Sequence, residues 1–183
     1  MTSKAHKKMR ENDSIPGKFY SCAGGVGRNI SEAIKRSGFD PIFISIVGDD
    51  FAGDFLISDC ENIGLNTDRI VKLKGSSTGI YNSILNSDGE MFAAVASMEI
   101  ETKFTSEFVL GNLQSDFRGK ALFQQLHLTV FDGNLPEETI IDCVHFCHKN
   151  NLKGFFFFFF VYFLSKKNFF LKFGSSQLPP QKV

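Results

Sequence analysis

Apolar residues follow both helical and strand spacing in the first third of the chain, as in proteins that contain both elements. After the glycine cluster Gly24–Gly27, apolar positions recur at helical spacing, and Gly38 predicts the left-handed end of that helix. The apolar, β-branched run Pro41–Val47 predicts a short buried strand. An amphipathic helix over Phe51–Asn62 follows a second glycine turn. This order of elements predicts an α/β fold.

The middle of the chain adds a hairpin and another strand-helix unit. Thr78–Leu85 and Glu90–Ala96 are strand-like and flank Asn86–Gly89, a strong hairpin turn. Thr105–Phe117 predicts a helix that begins at Thr105 as its N-cap. Leu126–Phe131 predicts a core strand, and Pro136 with the two acidic residues after it predicts the start of a further helix.

The two ends of the chain differ from its middle in composition. Residues 1–12 are polar, and we expect them to be disordered. Of the 22 phenylalanines, ten lie between Phe155 and Phe173. The apolar run Gly154–Leu164 is shorter than the ~20 residues that span a bilayer. We therefore expect a folded region at 13–153 and a tail at 154–183 outside the fold, consistent with translated intron sequence. A hydrophobic anchor and a genuine edge strand stay open as alternatives.

Charge and cysteine usage narrow the class of protein. Lysine plus arginine and aspartate plus glutamate both number 20, so no net field favours nucleic acid or a membrane surface. Four cysteines without a secretion signal favour reduced thiols and a cytoplasmic location. Cys143 and Cys147 share one helix face, but a second ligand pair at zinc spacing is missing. We expect an ordinary helix there and no metal site.

The glycine cluster fits neither of the common phosphate-binding patterns. The dinucleotide pattern needs a third glycine where Ile30 stands, and a phosphate loop needs lysine and a hydroxyl residue where Arg28 and Asn29 stand. A tight turn that packs a helix against a sheet would also explain the glycines.

The wider stretch is more specific, because its motif residues follow one another at fixed spacing. These residues are Gly24, Gly25, Asn29, Ser31, Gly38 and Gly48. In this pattern the chain resembles the ribokinase-like (PfkB) carbohydrate kinases. Within that family the approach Asp13–Lys18 and the run Gly24–Ile30 resemble the pseudouridine kinases, as do Thr78–Tyr81, Asp88–Glu90 and Asp132–Leu135. The resemblance covers about Asp13 to Lys153.

The resemblance implies a partial doubly wound sheet with a small β-sheet lid, and a set of substrate contacts. The implied nucleoside-binding or sugar-binding residues are Gly24, Gly25, Gly27 and Asn29 in the glycine turn, Asp132 and Asn134 after a strand, and Thr78 and Tyr81 on the lid. Asp49 and Asp50 look like catalytic carboxylates, but we expect them to cap the next helix. The resemblance also implies ATP and Mg²⁺, leaves K⁺ open, and implies a homodimer formed through the lid.

The second half of the family pattern is missing. The sequence contains no Asp-Thr-x-Gly-Ala-Gly-Asp signature, which in the family carries the catalytic aspartate and the anion hole, and no Asn-x-x-Glu motif. No buried strand is predicted before Pro16, where the family has its first strand. We therefore assign no catalytic residue and expect no kinase activity from the 183-residue chain alone. Three hypotheses stay open: part of a pseudouridine kinase, part of another sugar or nucleoside kinase, or a non-catalytic chain that binds a nucleoside or a partner kinase.

Overall fold

The computed structural model describes residues 1–10, 12–114, 128–150 and 154–157, which form an α/β fold. Helices and strands follow in the order β1 (Thr2–Ala5), β2 (Gly17–Tyr20), α1 (Val26–Arg36), β3 (Ser45–Gly48), α2 (Phe51–Asn62), β4 (Ile70–Leu73), β5 (Ile80–Leu85), β6 (Met91–Ser97), a 3₁₀ helix (Glu99–Lys103), α3 (Ser106–Gln114), β7 (Thr129–Asp132), α4 (Glu137–Lys149) and β8 (Gly154–Phe157).

Four strands form one sheet, which we call the lid sheet, in the order β2-β1-β5-β6. β1 pairs antiparallel with β2 and parallel with β5, and β5 pairs antiparallel with β6. The predicted hairpin is confirmed as β5 and β6, and Gly89 in its turn has φ 95°. All seven residues of β6 are exposed, so this strand is an open edge of the lid sheet.

The N-terminus differs from the sequence-based expectation of disorder over residues 1–12. Thr2–Ala5 is an inner strand of the lid sheet, held on both sides by neighbouring strands. The side-chain pattern gave no strand signal because three of these four residues are polar and the fourth is alanine. The main-chain hydrogen bonds come from partners that lie far along the chain, such as Ser83 opposite Thr2.

The helices of the first helix–strand–helix unit agree with the prediction, whereas the strand predicted over Pro41–Val47 forms only at Ser45–Gly48. α1 ends before Gly38, which has φ 90°, and α2 occupies the predicted residues. β3 pairs in parallel with β4, a strand that the sequence pattern did not predict. At Gly48, where β3 ends, a Cβ atom would overlap the carbonyl oxygen of Ser76, so only glycine allows this close approach.

A hydrophobic core forms where β7 meets the helices α3 and α4. Val109, Phe131, Cys143 and Cys147 are buried together. Burial raises the pKa of Cys143 to about 12, so its thiol stays protonated at neutral pH. This state suits a core residue and not a metal ligand, which must be a thiolate. The predicted helix end at Phe117 and strand start at Leu126 lie outside the described residues.

The boundary expected after residue 153 also needs correction. Gly154–Phe157 forms β8, which pairs in parallel with β7 along its whole length. Phenylalanine favours strands, and strands of parallel sheets consist of nearly continuous apolar residues. The alternative of a genuine strand is therefore correct for these four residues, while 158–183 lie outside the described part. Within the described ranges, no helix has the length and apolar character to cross a membrane.

Candidate functional site

The glycine turn leads directly into α1. Gly25 is the N-cap of this helix, with φ 96° and ψ 128°, a backbone conformation that residues with a Cβ rarely adopt. Its carbonyl oxygen accepts a hydrogen bond from the Asn29 N–H at 2.9 Å, and the Ser31 hydroxyl donates to the Gly27 carbonyl oxygen at 2.9 Å. Gly24 and Gly25 are exposed, so the turn offers bare backbone to a ligand.

Arg28 holds this turn in place, although the sequence analysis gave it no role. Its side chain is only 9% exposed. The guanidinium donates to the carbonyl oxygen of Gly24 at 3.2 Å and to that of Ala23 at 3.3 Å. It also forms ion pairs with Glu32 at 2.9 Å on the same helix and with Asp59 at 3.1 Å on α2. One buried cation therefore joins the glycine turn to two helices.

Arg28 also orients Asn29, the predicted sugar contact. Its Nη2 donates to the Asn29 Oδ1 at 2.5 Å. The side chain of Asn29 is exposed, and among the described residues none bonds to its Nδ2. The amide nitrogen is thus available to donate to a ligand hydroxyl. One sequence signal for Arg28 is its position, since a cation on the first turn opposes the helix dipole and is stabilised there by acidic partners.

The structure brings Asp132 to the glycine turn, 105 positions away in sequence. The Gly27 N–H donates to the Asp132 Oδ2 at 3.3 Å, and the Asn134 N–H donates to the Asp132 Oδ1 at 3.0 Å. Asp132 ends β7, and ligands collect at the carboxyl ends of strands in such sheets. Five predicted residues therefore meet here together with exposed Asn134: Gly24, Gly25, Gly27, Asn29 and Asp132.

Thr78 does not join this group. Its side chain is buried, with 3% exposure, and its hydroxyl donates to the Asp50 Oδ1 at 2.6 Å while accepting from the Gly48 N–H at 2.9 Å. The expectation that Thr78 faces a nucleoside base is not supported, because both roles of its hydroxyl are used inside the fold. The residue fastens the start of β5 to the turn between β3 and α2.

Asp50 is the helix cap that the sequence predicted. Its side chain accepts from the Gly53 N–H at 2.9 Å, and it also accepts from the Thr78 N–H at 2.8 Å. The Thr78 hydroxyl, followed by the Thr78 backbone N–H, holds the pKa of Asp50 below its usual value. The Asp50 carboxylate therefore has a structural role next to the start of the lid strand β5.

Tyr81 lies on β5 of the lid sheet and is 48% exposed. Its hydroxyl donates to the Met91 sulfur at 3.5 Å, across the hairpin. Its carbonyl oxygen accepts from the N-terminal ammonium of Met1 at 2.8 Å. No hydrogen bond in the described region links Tyr81 to the glycine turn, so its predicted contact with a base stays a prediction.

Glu101 is a second residue that the sequence analysis missed. It is partly buried in the 3₁₀ helix, and burial raises the pKa of its carboxyl group. The negative charge of Asp132 is a further, smaller cause of the raised pKa of Glu101. A residue in an irregular segment between a strand and a helix carries no motif or periodicity by which sequence could find it.

Phosphates of ATP need open backbone N–H groups or cations, and Mg²⁺ needs oxygen ligands. In the described parts of the chain, no group of three or more histidine, cysteine, aspartate or glutamate side chains is arranged to hold a metal. Gly27 already uses its N–H on Asp132, so the turn is not an open cradle for phosphate. The site has the donors and acceptors that recognise neutral hydroxyl groups.

Comparison with known proteins places this arrangement in a family. The pfkB family carbohydrate kinase model matches residues 2–165, which is most of the chain. The chain belongs to the pfkB carbohydrate kinase family. The match begins at β1 and extends past β8, so it includes residues 2–12 and 154–165 of the two segments that sequence analysis placed outside the fold.

Relatives agree with this family and with its ribokinase-like fold. The chain is 32% identical over 136 residues to a pseudouridine kinase of Escherichia coli K12, covering 74% of this chain and 41% of that protein. A carbohydrate kinase from Agrobacterium tumefaciens superposes with a TM-score of 0.68 at 21% identity, over 85% of this chain and 48% of the other. Arabidopsis thaliana ribokinase complexed with ribose and ATP superposes with a TM-score of 0.65 at 17% identity, over 85% of this chain and 49% of the other. The chain thus spans less than half the length of these relatives.

Proposed function

We propose that this chain forms the sugar-binding part of a nucleoside kinase of the pseudouridine type. The complete enzyme would transfer the γ-phosphoryl group of ATP to the ribose 5′-hydroxyl of pseudouridine in the cytoplasm. The similarity to the Escherichia coli pseudouridine kinase supports this substrate over other sugars and nucleosides. Residues beyond the described part would supply the general base, the nucleotide site and the metal ions.

The observation that carries the proposal is the hydrogen bond from the Gly27 N–H to the Asp132 carboxylate. This hydrogen bond joins the glycine turn to the carboxyl end of β7. Polar groups of the site then lie on one exposed surface. An aspartate accepts hydrogen bonds from ribose hydroxyls, and the Asn29 amide nitrogen donates to them. Bare glycine backbone lets the sugar approach closely.

The role of these residues is positioning. Phosphoryl transfer needs its hydroxyl nucleophile held in line with the phosphate, and most of the catalytic effect comes from orientation and electrostatics. A turn fixed by buried Arg28 on one side and by Asp132 on the other is ordered before the substrate arrives. Such preorganisation lowers the entropy cost of binding.

Isothermal titration of the 183-residue chain with pseudouridine, uridine and ribose tests the proposal. We expect pseudouridine to bind more tightly than the other two. Asn29→Ala and Asp132→Asn should each weaken its binding by about 10- to 100-fold, the effect of losing a hydrogen bond to a charged or well-oriented partner.

Asn62→Ala is the matched control, because Asn62 is exposed at the C-terminal end of α2 and no described hydrogen bond joins its side chain to the glycine turn. It should leave the affinity unchanged. If none of the three ligands binds the wild-type chain, the proposed function is wrong. Equal affinity for ribose and pseudouridine would instead favour a general sugar kinase.

We further propose that the lid sheet pairs with a second copy of the chain. Large apolar side chains are exposed on three of its strands: Phe19, Tyr20, Tyr81, Met91, Phe92 and Val95. β6 is an edge strand whose residues are all exposed, and open edges pair readily with another strand. A second copy would cover this apolar surface and pair with the open edge strand β6.

A further inference from the structure

The sequence contains two Asp-Gly dipeptides, Asp88-Gly89 and Asp132-Gly133, which lie in different structural settings. Glycine has no side chain to shield its main-chain nitrogen, so this nitrogen can attack the carboxyl carbon of the aspartate before it. The product is a succinimide ring in the main chain. The first dipeptide lies in the hairpin turn between β5 and β6, and the second lies where β7 ends. The same chemistry can therefore be compared at two places in one fold.

The hairpin turn leaves Asp88 and Gly89 open to water. Both residues are exposed, as are Ser87 and Glu90 on either side of them. The Asp88 Oδ1 accepts from the Glu90 N–H at 3.0 Å, which holds the carboxyl group beside the main chain that contains the Gly89 nitrogen. The Gly89 N–H donates to the Asn86 carbonyl oxygen at 3.0 Å. In the described structure, only these two local hydrogen bonds restrain the carboxyl group and the nitrogen.

Asp132 is held more firmly, although it makes the same kind of local hydrogen bond. Its Oδ1 accepts from the Asn134 N–H, two positions further on, at 3.0 Å. Its Oδ2 accepts in addition from the Gly27 N–H of α1 at 3.3 Å. The main chain of Asp132 belongs to β7 and pairs with β8. The carboxyl group can therefore turn toward the Gly133 nitrogen only if a contact with a distant segment breaks.

We propose that Asp88, and not Asp132, is a site of spontaneous modification, where a succinimide ring forms and reopens to isoaspartate. The Gly89 nitrogen loses its proton and forms a bond to the Asp88 Cγ. A hydroxyl group leaves this carbon and takes up that proton, so one water molecule is released. Water then adds to either ring carbonyl. Opening at Cγ restores aspartate, whereas opening at the main-chain carbonyl carbon gives isoaspartate, and neither step needs an oxidant, a reductant or a second substrate.

Isoaspartate would change the hairpin, because its main chain passes through the side-chain CH₂ group and is longer by one atom. The turn depends on the hydrogen bond from the Gly89 N–H to Asn86 and on a second one from the Asn86 N–H to the Glu90 carbonyl oxygen at 2.8 Å. The Asn86 Oδ1 also accepts from the Met9 N–H at 2.9 Å and so fastens the segment after β1 to the turn. We therefore expect the modified chain to hold both the turn and this segment less firmly.

Ageing the full chain in water enriched in heavy oxygen tests the inference, because each ring opening adds one oxygen atom from the solvent. After weeks at neutral pH, the chain is digested with trypsin in ordinary water and its peptides are analysed by mass spectrometry. Asp88 is the only aspartate in the tryptic peptide of residues 75–103. We expect heavy oxygen in this peptide, together with a separate isoaspartyl form that protein isoaspartyl methyltransferase labels.

Two other aspartates serve as internal controls. Asp132 should take up heavy oxygen about 10- to 100-fold more slowly than Asp88, the factor expected when a hydrogen bond to a carboxylate must first break. Asp68 is also exposed in a turn, but Arg69 follows it in place of a glycine, so it should take up much less than Asp88. In guanidinium chloride, which unfolds both Asp-Gly dipeptides, Asp88 and Asp132 should react at similar rates.

Asp88→Glu is the matched variant, because it keeps the negative charge while its longer side chain would have to close a larger ring, which forms more slowly. The stored wild-type chain should melt at a lower temperature than the fresh chain, whereas storage should leave the melting temperature of Asp88→Glu unchanged. An equal fall in both chains would assign the loss to other residues and contradict the expected effect on the hairpin.

Two results of the labelling experiment overturn the inference. If the unfolded chain takes up heavy oxygen at Asp88 and the folded chain does not, the turn protects this residue. If the folded chain takes up as much at Asp132 as at Asp88, the contacts of the carboxylate do not decide the rate. Neither result bears on the proposed function, because the experiment contains no nucleoside.

Discussion

At the scale of single residues, the candidate site depends on one buried arginine. Arg28 bonds to the carbonyl oxygens of the glycine turn, to the Asn29 side chain and to two acidic residues. Removal of a buried guanidinium is costly because its acceptors lose their donor, here the Gly24 and Ala23 carbonyl oxygens and Asp59. Arg28 is thus a positioning residue for the turn.

Replacing Arg28 with alanine should lower the free energy of unfolding by about 3 kcal/mol, at the lower end for broken buried pairs because Asp59 is partly exposed. Arg36→Ala is the control, because Arg36 pairs with the same Glu32 but its side chain is 66% exposed. That change should cost less than about 1 kcal/mol. Urea unfolding followed by circular dichroism measures both, and equal losses would show that burial of Arg28 is unimportant.

At the scale of elements, the lid sheet is fastened to the rest of the fold by Thr78 and Asp50. Their hydrogen bonds connect the start of β5 with the turn between β3 and α2, where Gly48 permits backbone contact. In the sequence, Thr78 resembles a substrate contact and Asp50 a catalytic acid. In the structure their hydrogen bonds connect the lid sheet to the rest of the fold, and the orientation of the lid sheet depends on this connection.

Thr78→Val should lower the free energy of unfolding by about 1–3 kcal/mol, because the buried Gly48 N–H loses its acceptor. Thr78→Ser keeps the hydroxyl and should cost much less. Thermal unfolding at pH 7 compares the two. A loss in Thr78→Ser as large as that in Thr78→Val would assign the effect to the methyl group and contradict the prediction.

The hydrogen bonds between Thr78 and Asp50 also predict how the stability of the fold depends on pH. The lowered pKa of Asp50 contributes stability above its unfolded value of 3.8, and this contribution is lost as pH falls through the folded value. Thr78→Val removes the largest cause of the shift. Its stability should therefore fall less steeply between pH 5 and pH 2 than that of the wild-type chain.

At the scale of the whole molecule, the lid sheet exposes an apolar surface that the described residues of one chain leave uncovered. Val95 on edge strand β6 is 69% exposed, as is Phe39 after α1. Apolar surface of this kind is stabilised by burial in an interface. Pairing of two lid sheets would place the same strands of both copies together, in a symmetric contact.

Val95→Lys should convert a dimer into a monomer in sedimentation velocity experiments, because a lysine on an edge strand opposes strand pairing. Phe39→Lys is the matched control, with equal exposure away from the lid sheet. It should leave the dimer intact. A wild-type chain that sediments as a monomer at all concentrations would contradict the pairing.

Local sequence patterns were sufficient to predict α1, α2 and the hairpin of β5 and β6. Their spacing, capping residues and turn glycines act within a few positions, so tertiary contacts had little to change. β1 and β4 were missed, because these four-residue strands depend on partners elsewhere in the chain. β8 was misjudged, because an unbroken apolar run is ambiguous until a neighbouring strand is known.

Residue types at short fixed spacings were enough to predict the α/β class, the family resemblance and the glycine turn. The contacts between distant residues became known only from the folded structure. In that structure the Gly27 N–H bonds to Asp132, and the buried Thr78 hydroxyl bonds to Asp50. Such pairings arise from strand order and packing between segments up to 105 positions apart, and no local pattern encodes them.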